Sequence, residues 1–447
     1  MFARPCNARV RRARFDWATY VAVVALVLAL VTGPVLAQPG SDQIVLRHLS
    51  YPGTEEWNTY IAQRIEAFEA LHPNIKIERI MPARVAEIED TFLTWLAGGI
   101  APDTSEVTLS VGGSFMSQGH FMDLRPFFER DPEVSTDMFA PPAVAALTWP
   151  DGQIWGIPQD MFAPLTFFNA DMFAEAGLTT PAELGPAGWT WERVVESATR
   201  LTIDRNGDGM PEQWGLEDSY GVLFGYGNPV YQAGGAYFDR QAQPTRVTLL
   251  DPKTVSALEW IVSLYNEYEV IGGNTAFRAG TAALSFSNGA PSIPIMRDAD
   301  INFGIATNTM GPENNGGYYA VNSVNITKYT QHPEAAWEFI KFLAADADNQ
   351  RDFVSDVNRV TSHLEVLSEY ASLTGNPPEF VQPVMDTITN PAAFHDPIGP
   401  GARDARLLIT DTLYAQAYLE RQPVRLVLDS LQPQVQALLD EAWSRAR

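Results

Sequence analysis

Residues 151–178 read DGQIWGIPQDMFAPLTFFNADMFAEAGL. Asp151-Gly152 is a tight-turn signal, and Ile154, Gly156 and Pro158 bracket a short strand that cannot pair far past a proline, which has no backbone donor. A second apolar run, Leu165 to Phe168, follows. Asn169-Ala170-Asp171 then reads as the cap of a helix that ends at Gly177. Between the two runs lie Gln159, Asp160, Met161 and Phe162, a polar-aromatic break. Strand, break, strand and capped helix is the pattern of a chain crossing from one domain into another.

On the N-terminal side, Ile44–Leu49 reads as a strand. Trp57, Ile61, Ile65 and Phe68 recur at helical spacing behind a Thr54 cap, and Ile75, Ile77 and Ile80 form the next strand. A helix over 86–96 and a strand through Val107 and Leu109 extend the alternation, which specifies an α/β lobe. In such sheets ligands bind beyond the carboxyl ends of the strands. Those ends carry Ser50-Tyr51, Ser110-Val111-Gly112 and Gln159-Asp160.

On the C-terminal side, a helix through Val194, Val195 and Ala198 leads to Asp204, Asn206, Asp208 and Glu212. These oxygens stand at positions 1, 3, 5 and 9 of a calcium-loop pattern with Gly209 at position 6. Position 12 is Gly215 where a bidentate glutamate belongs, so the loop reads either as a structural Ca2+ site or as a calcium-free Asp/Gly turn. Residues 223–238, LFGYGNPVYQAGGAYF, combine aromatic rings with glycines; the rings could stack on sugar faces or pack as core beside a turn. Helices over 252–265, 332–345, 402–419 and 424–445 and strands over 301–307 and 318–326 complete the chain, with Gly311–Gly317 and Gly375-Asn-Pro-Pro as further breaks.

The chain has 447 residues and a formal net charge of −24, a field that repels nucleic acid, anionic lipid and phosphorylated ligands. Arg4, Arg9, Arg11, Arg12 and Arg14 precede an apolar run from Ala18 to Val31, and Val35-Leu36-Ala37 supplies a signal-peptidase pattern. Residues 1–37 therefore read as a cleaved signal peptide, with the alternative of a retained anchor. Export places the protein in the periplasm or outside the cell. The single cysteine, Cys6, lies inside that leader, so no disulfide, thiolate metal site or thiol chemistry is expected beyond it.

Several segments in order resemble the sugar-binding family 1 of extracellular solute-binding proteins of ABC importers, the maltose-binding-protein-like family. They are AFEALHPNIKIE, LAGGIAPDT, FMDLRPFF, DGQIWGIPQD with FFNADMFAEAGL and GWTWERV, DRNGDGMPEQWG, FRAGTAALSFSNG and HPEAAWEFIKFLAAD. The resemblance implies a two-lobed α/β fold with three crossings, each lobe a mostly parallel sheet flanked by helices. The lobes would be 38–160 with 317–372 and 161–316 with 373–447. It also implies a monomer that holds a sugar between the lobes and passes it to permease membrane subunits, with no catalytic residue and no cofactor. Carried over by position, the ligand contacts would be Tyr51, Glu55, Thr108, Ser110, Asp160, Phe162, Phe224, Tyr226, Asn228, Tyr318 and Asn322. The chain departs from the family at Val107, Ser110 and Val111, where maltose-binding protein carries a tryptophan, an aspartate and an arginine. FSNGA at 286–290 also lacks a following tryptophan, which puts a malto-oligosaccharide ligand in doubt but not a carbohydrate. Two rival readings remain at this level: a secreted glycoside hydrolase, needing two facing carboxyl groups, and a binder of a cationic ligand such as a polyamine or peptide.

Overall fold

A computed structural model describes residues 43–446, so the leader segment lies outside the described residues. The expected strand-helix-strand opening is present as β1 (Ile44–Leu49), a helix Glu55–Leu71 and β2 (Ile75–Ile80), followed by β3 (Thr104–Thr108). The Thr54 hydroxyl accepts from the Trp57 amide and caps that helix, which buries Trp57, Tyr60, Ile61 and Phe68 against the sheet.

The strand begun at Ile157 does not stop at Pro158. As β4 (Ile157–Phe162) it runs through Gln159, Asp160, Met161 and Phe162, so the polar-aromatic segment is strand and not a break. The missing proline donor is absorbed by a register shift between Pro158 and Asp160, as a bulge allows. The turn between strands is instead the short segment 163–165, after which β5 (Thr166–Asn169) enters a second sheet and the Asn169 side chain caps the helix Ala170–Glu175.

β6 (Trp214–Leu216), β7 (Ala282–Ser285) and β8 (Phe303–Ala306) join β5 in the order β6-β7-β5-β8. The chain then returns as β9 (Ala320–Ile326) and β10 (Val360–Thr361), completing the first sheet in the order β10-β4-β9-β3-β1-β2. Both sheets are mixed, not mostly parallel. β1 with β3 and β6 with β7 run parallel, whereas β4 and β3 with β9, β4 with β10, and β5 with β7 and β8 run antiparallel. The reversal follows from the crossings: a strand that leaves one lobe and returns through the other comes back head to tail.

The helices cover the sheets. Ala336, Phe339, Ile340 and Leu343 of the helix Pro333–Ala344 are buried as their spacing predicts. One core, including Trp189, Leu216, Leu258 and Leu428, fills the second lobe. The other, including Leu49, Val107, Met161, Phe167 and Val384, lies under the first sheet and continues through the crossing.

Candidate functional site

The antiparallel register sets side chains from separate strands in one row. Thr108 of β3 faces Asn322 of β9, which faces Asp160 of β4, which faces Thr361 of β10. Asp160 is fully buried. Its Oδ2 accepts from Arg359 Nε at 2.7 Å and pairs with Arg359 Nη2, while its Oδ1 makes no well-aligned hydrogen bond, with the Asn322 side chain as a weaker neighbouring donor. Burial pushes the Asp160 carboxyl above its ordinary range and the Arg359 charge pulls it back, leaving it raised.

Arg359 is placed by the end of the helix Ala347–Val357. Asn358 terminates that helix in the left-handed region at φ 52°, a conformation asparagine tolerates. Its Nδ2 donates to the Ala290 carbonyl at 2.8 Å, a residue that follows β7 of the other sheet. The guanidinium then lies 5.2 Å from the Trp57 ring and 5.8 Å from the Phe162 ring. Gly53 and Gly289 make this possible, because a Cβ on either would collide with the Trp57 or the Phe162 ring.

Tyr51 leaves the carboxyl end of β1 and packs on Trp57 at 5.1 Å. Beneath it, the Ser50 hydroxyl and the Tyr51 amide both donate to Glu106 Oε2, at 2.7 and 3.2 Å. Burial opposes ionisation of Glu106, but donors from His48 and Ser50 and the Arg79 charge prevail and hold it below its usual value. Tyr51, Trp57, Asn358 and Arg359 line one side of a cavity of about 580 Å³; Pro291, Pro294, Ile295 and Asp298 of the second lobe line the other. That size suits a small ligand.

A second charged cluster forms where residues 394–406 pack against Tyr226 and Tyr318. Tyr226 stacks flat on Tyr318, centroids 3.7 Å apart, and the Tyr318 hydroxyl donates to Asp396 Oδ2 at 2.8 Å. Asp396 and Arg406 face each other at 3.0 Å without the angle of a hydrogen bond, and Arg406 sits 5.6 Å from the Tyr226 ring. Burial raises the Tyr226 phenol to about 12; it also lies close enough to Tyr51 for their ionised forms to repel.

Of the carried-over residues, the structure brings together Tyr51, Thr108, Asp160, Phe162, Tyr226, Tyr318 and Asn322, with Ser110 beside Thr108 at 3.4 Å. Phe224 is corrected: its ring is fully buried against Tyr265 in the second core, so no face is free for a ligand. Asn228 is buried and committed to the chain, its Oδ1 accepting the Tyr318 amide. Glu55 lies exposed in a groove of its helix with Asn58 and Thr59. Trp57, Glu106, Pro291, Arg359, Asp396 and Arg406 were not anticipated as site residues; Trp57 and Glu106 lie close in sequence to Tyr51 and Thr108, whereas the other four are brought to the site by elements remote in sequence.

The Asp204 loop is held by its own turns. Asp204 accepts from the Gly207 and Gly209 amides, Asn206 and Asp208 accept from amides two residues on, and Glu212 accepts from Arg205 and Asn206. Gly215, at position 12, faces the Ala198 backbone so closely that no side chain fits there. Among the described residues no group of three or more acidic, imidazole or thiol side chains is placed to hold a metal.

Two α/β lobes joined by crossings, with a polar and aromatic cavity at the seam, define a two-lobed binding protein. The chain belongs to the bacterial extracellular solute-binding proteins, whose family model matches residues 51–350. Among curated proteins it is similar to the maltodextrin-binding protein MdxE of Bacillus subtilis (strain 168), 25% identical over 282 residues. That match covers 59% of this chain and 61% of the relative, so the chain spans about three fifths of that relative's length. Among solved structures it resembles the ABC substrate-binding protein Lmo0181 from Listeria monocytogenes in complex with cycloalternan, at TM-score 0.77 and 18% identity over 89% of this chain and 100% of that one. The maltose/maltodextrin-binding domain MalE from Bdellovibrio bacteriovorus bound to maltotriose gives 0.68 and 20% over 90% and 98%. These likenesses establish the fold. The family and these neighbours are binding proteins.

Proposed function

We propose that this protein is the exported substrate-binding component of an ABC importer, capturing a neutral carbohydrate between its lobes by closure and delivering it to permease membrane subunits without chemistry. The observation that carries the reading is the row Thr108–Asn322–Asp160 beside the Tyr51 and Trp57 rings. Asp160 lies buried in that row, with Oδ1 making no well-aligned hydrogen bond beside the Asn322 side chain, so a sugar hydroxyl that reaches the row as the lobes move meets a charge-assisted acceptor. Closure follows when the ligand contacts both walls, since it shifts the equilibrium only by its differential contact with the closed state.

The rival readings fit the site less well. A hydrolase needs a free acid and a free base across the bond; here Asp160 is tied to Arg359 and Asp396 to Tyr318 and Arg406. A polycation would find the buried carboxylates Asp160 and Asp396 already paired with arginine and only the exposed Glu56, Asp298 and Asp356 of the cavity lining open to it. Calorimetric titration with a panel of neutral sugars, with spermidine as the contrasting probe, tests the assignment. Saturable binding of a sugar that is lost in Asp160→Ala is expected; binding of spermidine alone, or sugar binding undiminished in Asp160→Ala, would overturn it.

A further inference from the structure

Resting on the reading of the cleft as a carbohydrate site, we infer that a tyrosine track on the second lobe outside the cleft, Tyr220–Tyr414–Tyr418, is an accessory surface for the distal residues of a longer neutral oligosaccharide. Two chain segments build it. One is the wide turn Gly221–Tyr226, which closes hydrogen bonds five residues apart and ends at Tyr226, stacked on Tyr318 just before β9. The other is the continuous helix from Ala402, which carries Arg406 beside Tyr226 and passes into a second such wide turn at Leu413–Leu419. Such π-turns are uncommon and concentrate at functional positions.

The two segments run side by side away from the cleft. Arg406 donates to the Gly225 carbonyl, and eight residues on, roughly 12 Å along a helix, Tyr414 meets Tyr220 with centroids 4.6 Å apart. Tyr418 continues the line, 5.1 Å from Tyr414 and 4.2 Å from Tyr265. Tyr220 is 40% exposed, and Tyr414 and Tyr418 are half-buried, so part of each side chain remains open to solvent beside its ring neighbours. The Asp218 carboxylate organises the group: its Oδ1 accepts the Tyr265 hydroxyl at 2.8 Å and the Tyr220 amide at 3.1 Å. Open ring faces beside a carboxylate, in a protein of net charge −24, match the alternating C–H faces and hydroxyls of an uncharged sugar chain and disfavour anionic partners. Continuity with Tyr226 and Arg406 specifies the occupant as the same chain that enters the cleft.

The test titrates the full chain with maltose, maltohexaose, mannobiose and mannohexaose. Tyr414→Ala should weaken hexasaccharide binding about threefold to tenfold, the range of one aromatic contact, and leave disaccharide binding unchanged, with Tyr414→Phe close to the parent. Tyr220→Ala, at the most exposed ring, repeats the measurement should Tyr414→Ala fold poorly by its melting temperature. Hexasaccharide binding unaffected by both alanines, or disaccharide and hexasaccharide weakened alike, overturns the inference. A parent protein that binds disaccharide but no hexasaccharide overturns it and leaves the cleft reading intact; one that binds neither length removes both.

Discussion

Asp160 holds a buried charge whose compensation comes from a residue 199 positions away. Removing Arg359 as Arg359→Met leaves that carboxylate alone, and breaking a buried pair costs about 3–5 kcal/mol. The pH dependence has a definite sign. The folded Asp160 carboxyl already titrates above the ordinary carboxylate range and rises further without the arginine, so the folded state resists ionisation that the unfolded chain accepts. The deficit of the variant relative to the parent is therefore smallest near pH 4 and grows as pH climbs above it, as urea denaturation at pH 4.5 and pH 7.5 would measure; equal deficits at both would contradict the pairing. Asp160 was legible in the sequence because a polar side chain stood at the end of an apolar strand. Arg359 was not, since only β10 pairing with β4 brings the two together. Nor could the sequence separate Phe224 from Tyr226, because the wide turn changes which ring faces inward.

Elements declared by local signals were readable in advance. The helix Glu55–Leu71 follows from Thr54 and its apolar spacing, and the helix Ala170–Glu175 from Asn169. Elements set by distant neighbours were not. β4 continues past Pro158 because β9 and β10 hold it on both sides, and the helix over 402–419 widens at Leu413 for a reason that its composition does not display. Gly215 shows how tightly such an element can be specified: β6 lies against the helix Trp191–Leu201 with no room for a Cβ beside the Ala198 carbonyl. Gly215→Ala should cost about 1–3 kcal/mol, read as a lower denaturation midpoint with an unchanged slope. A substitution without effect would show that the contact is not maintained in solution.

At the scale of the whole molecule, the alternation of strands and helices announced two α/β lobes, but not the direction of their strands, which depends on which lobe each one returns from. The lobes meet in several ways besides the cavity: Arg403 pairs with Glu89 at 2.9 Å, and Ile398 fills the space above Gly113. The arginines at the binding surfaces have a wider consequence. Asp160 with Arg359 and Asp396 with Arg406 each cancel locally, so the buried charges behind the binding surface add little to its field, while Glu56, Asp298 and Asp356 keep the cavity lining itself acidic. Association with an uncharged sugar then gains nothing from long-range steering, which ionic strength would screen. Stopped-flow capture rates should stay within about twofold between 10 mM and 500 mM sodium chloride, and a steep slope would reveal a charged ligand. Uptake would thus begin equally well in dilute and in briny surroundings.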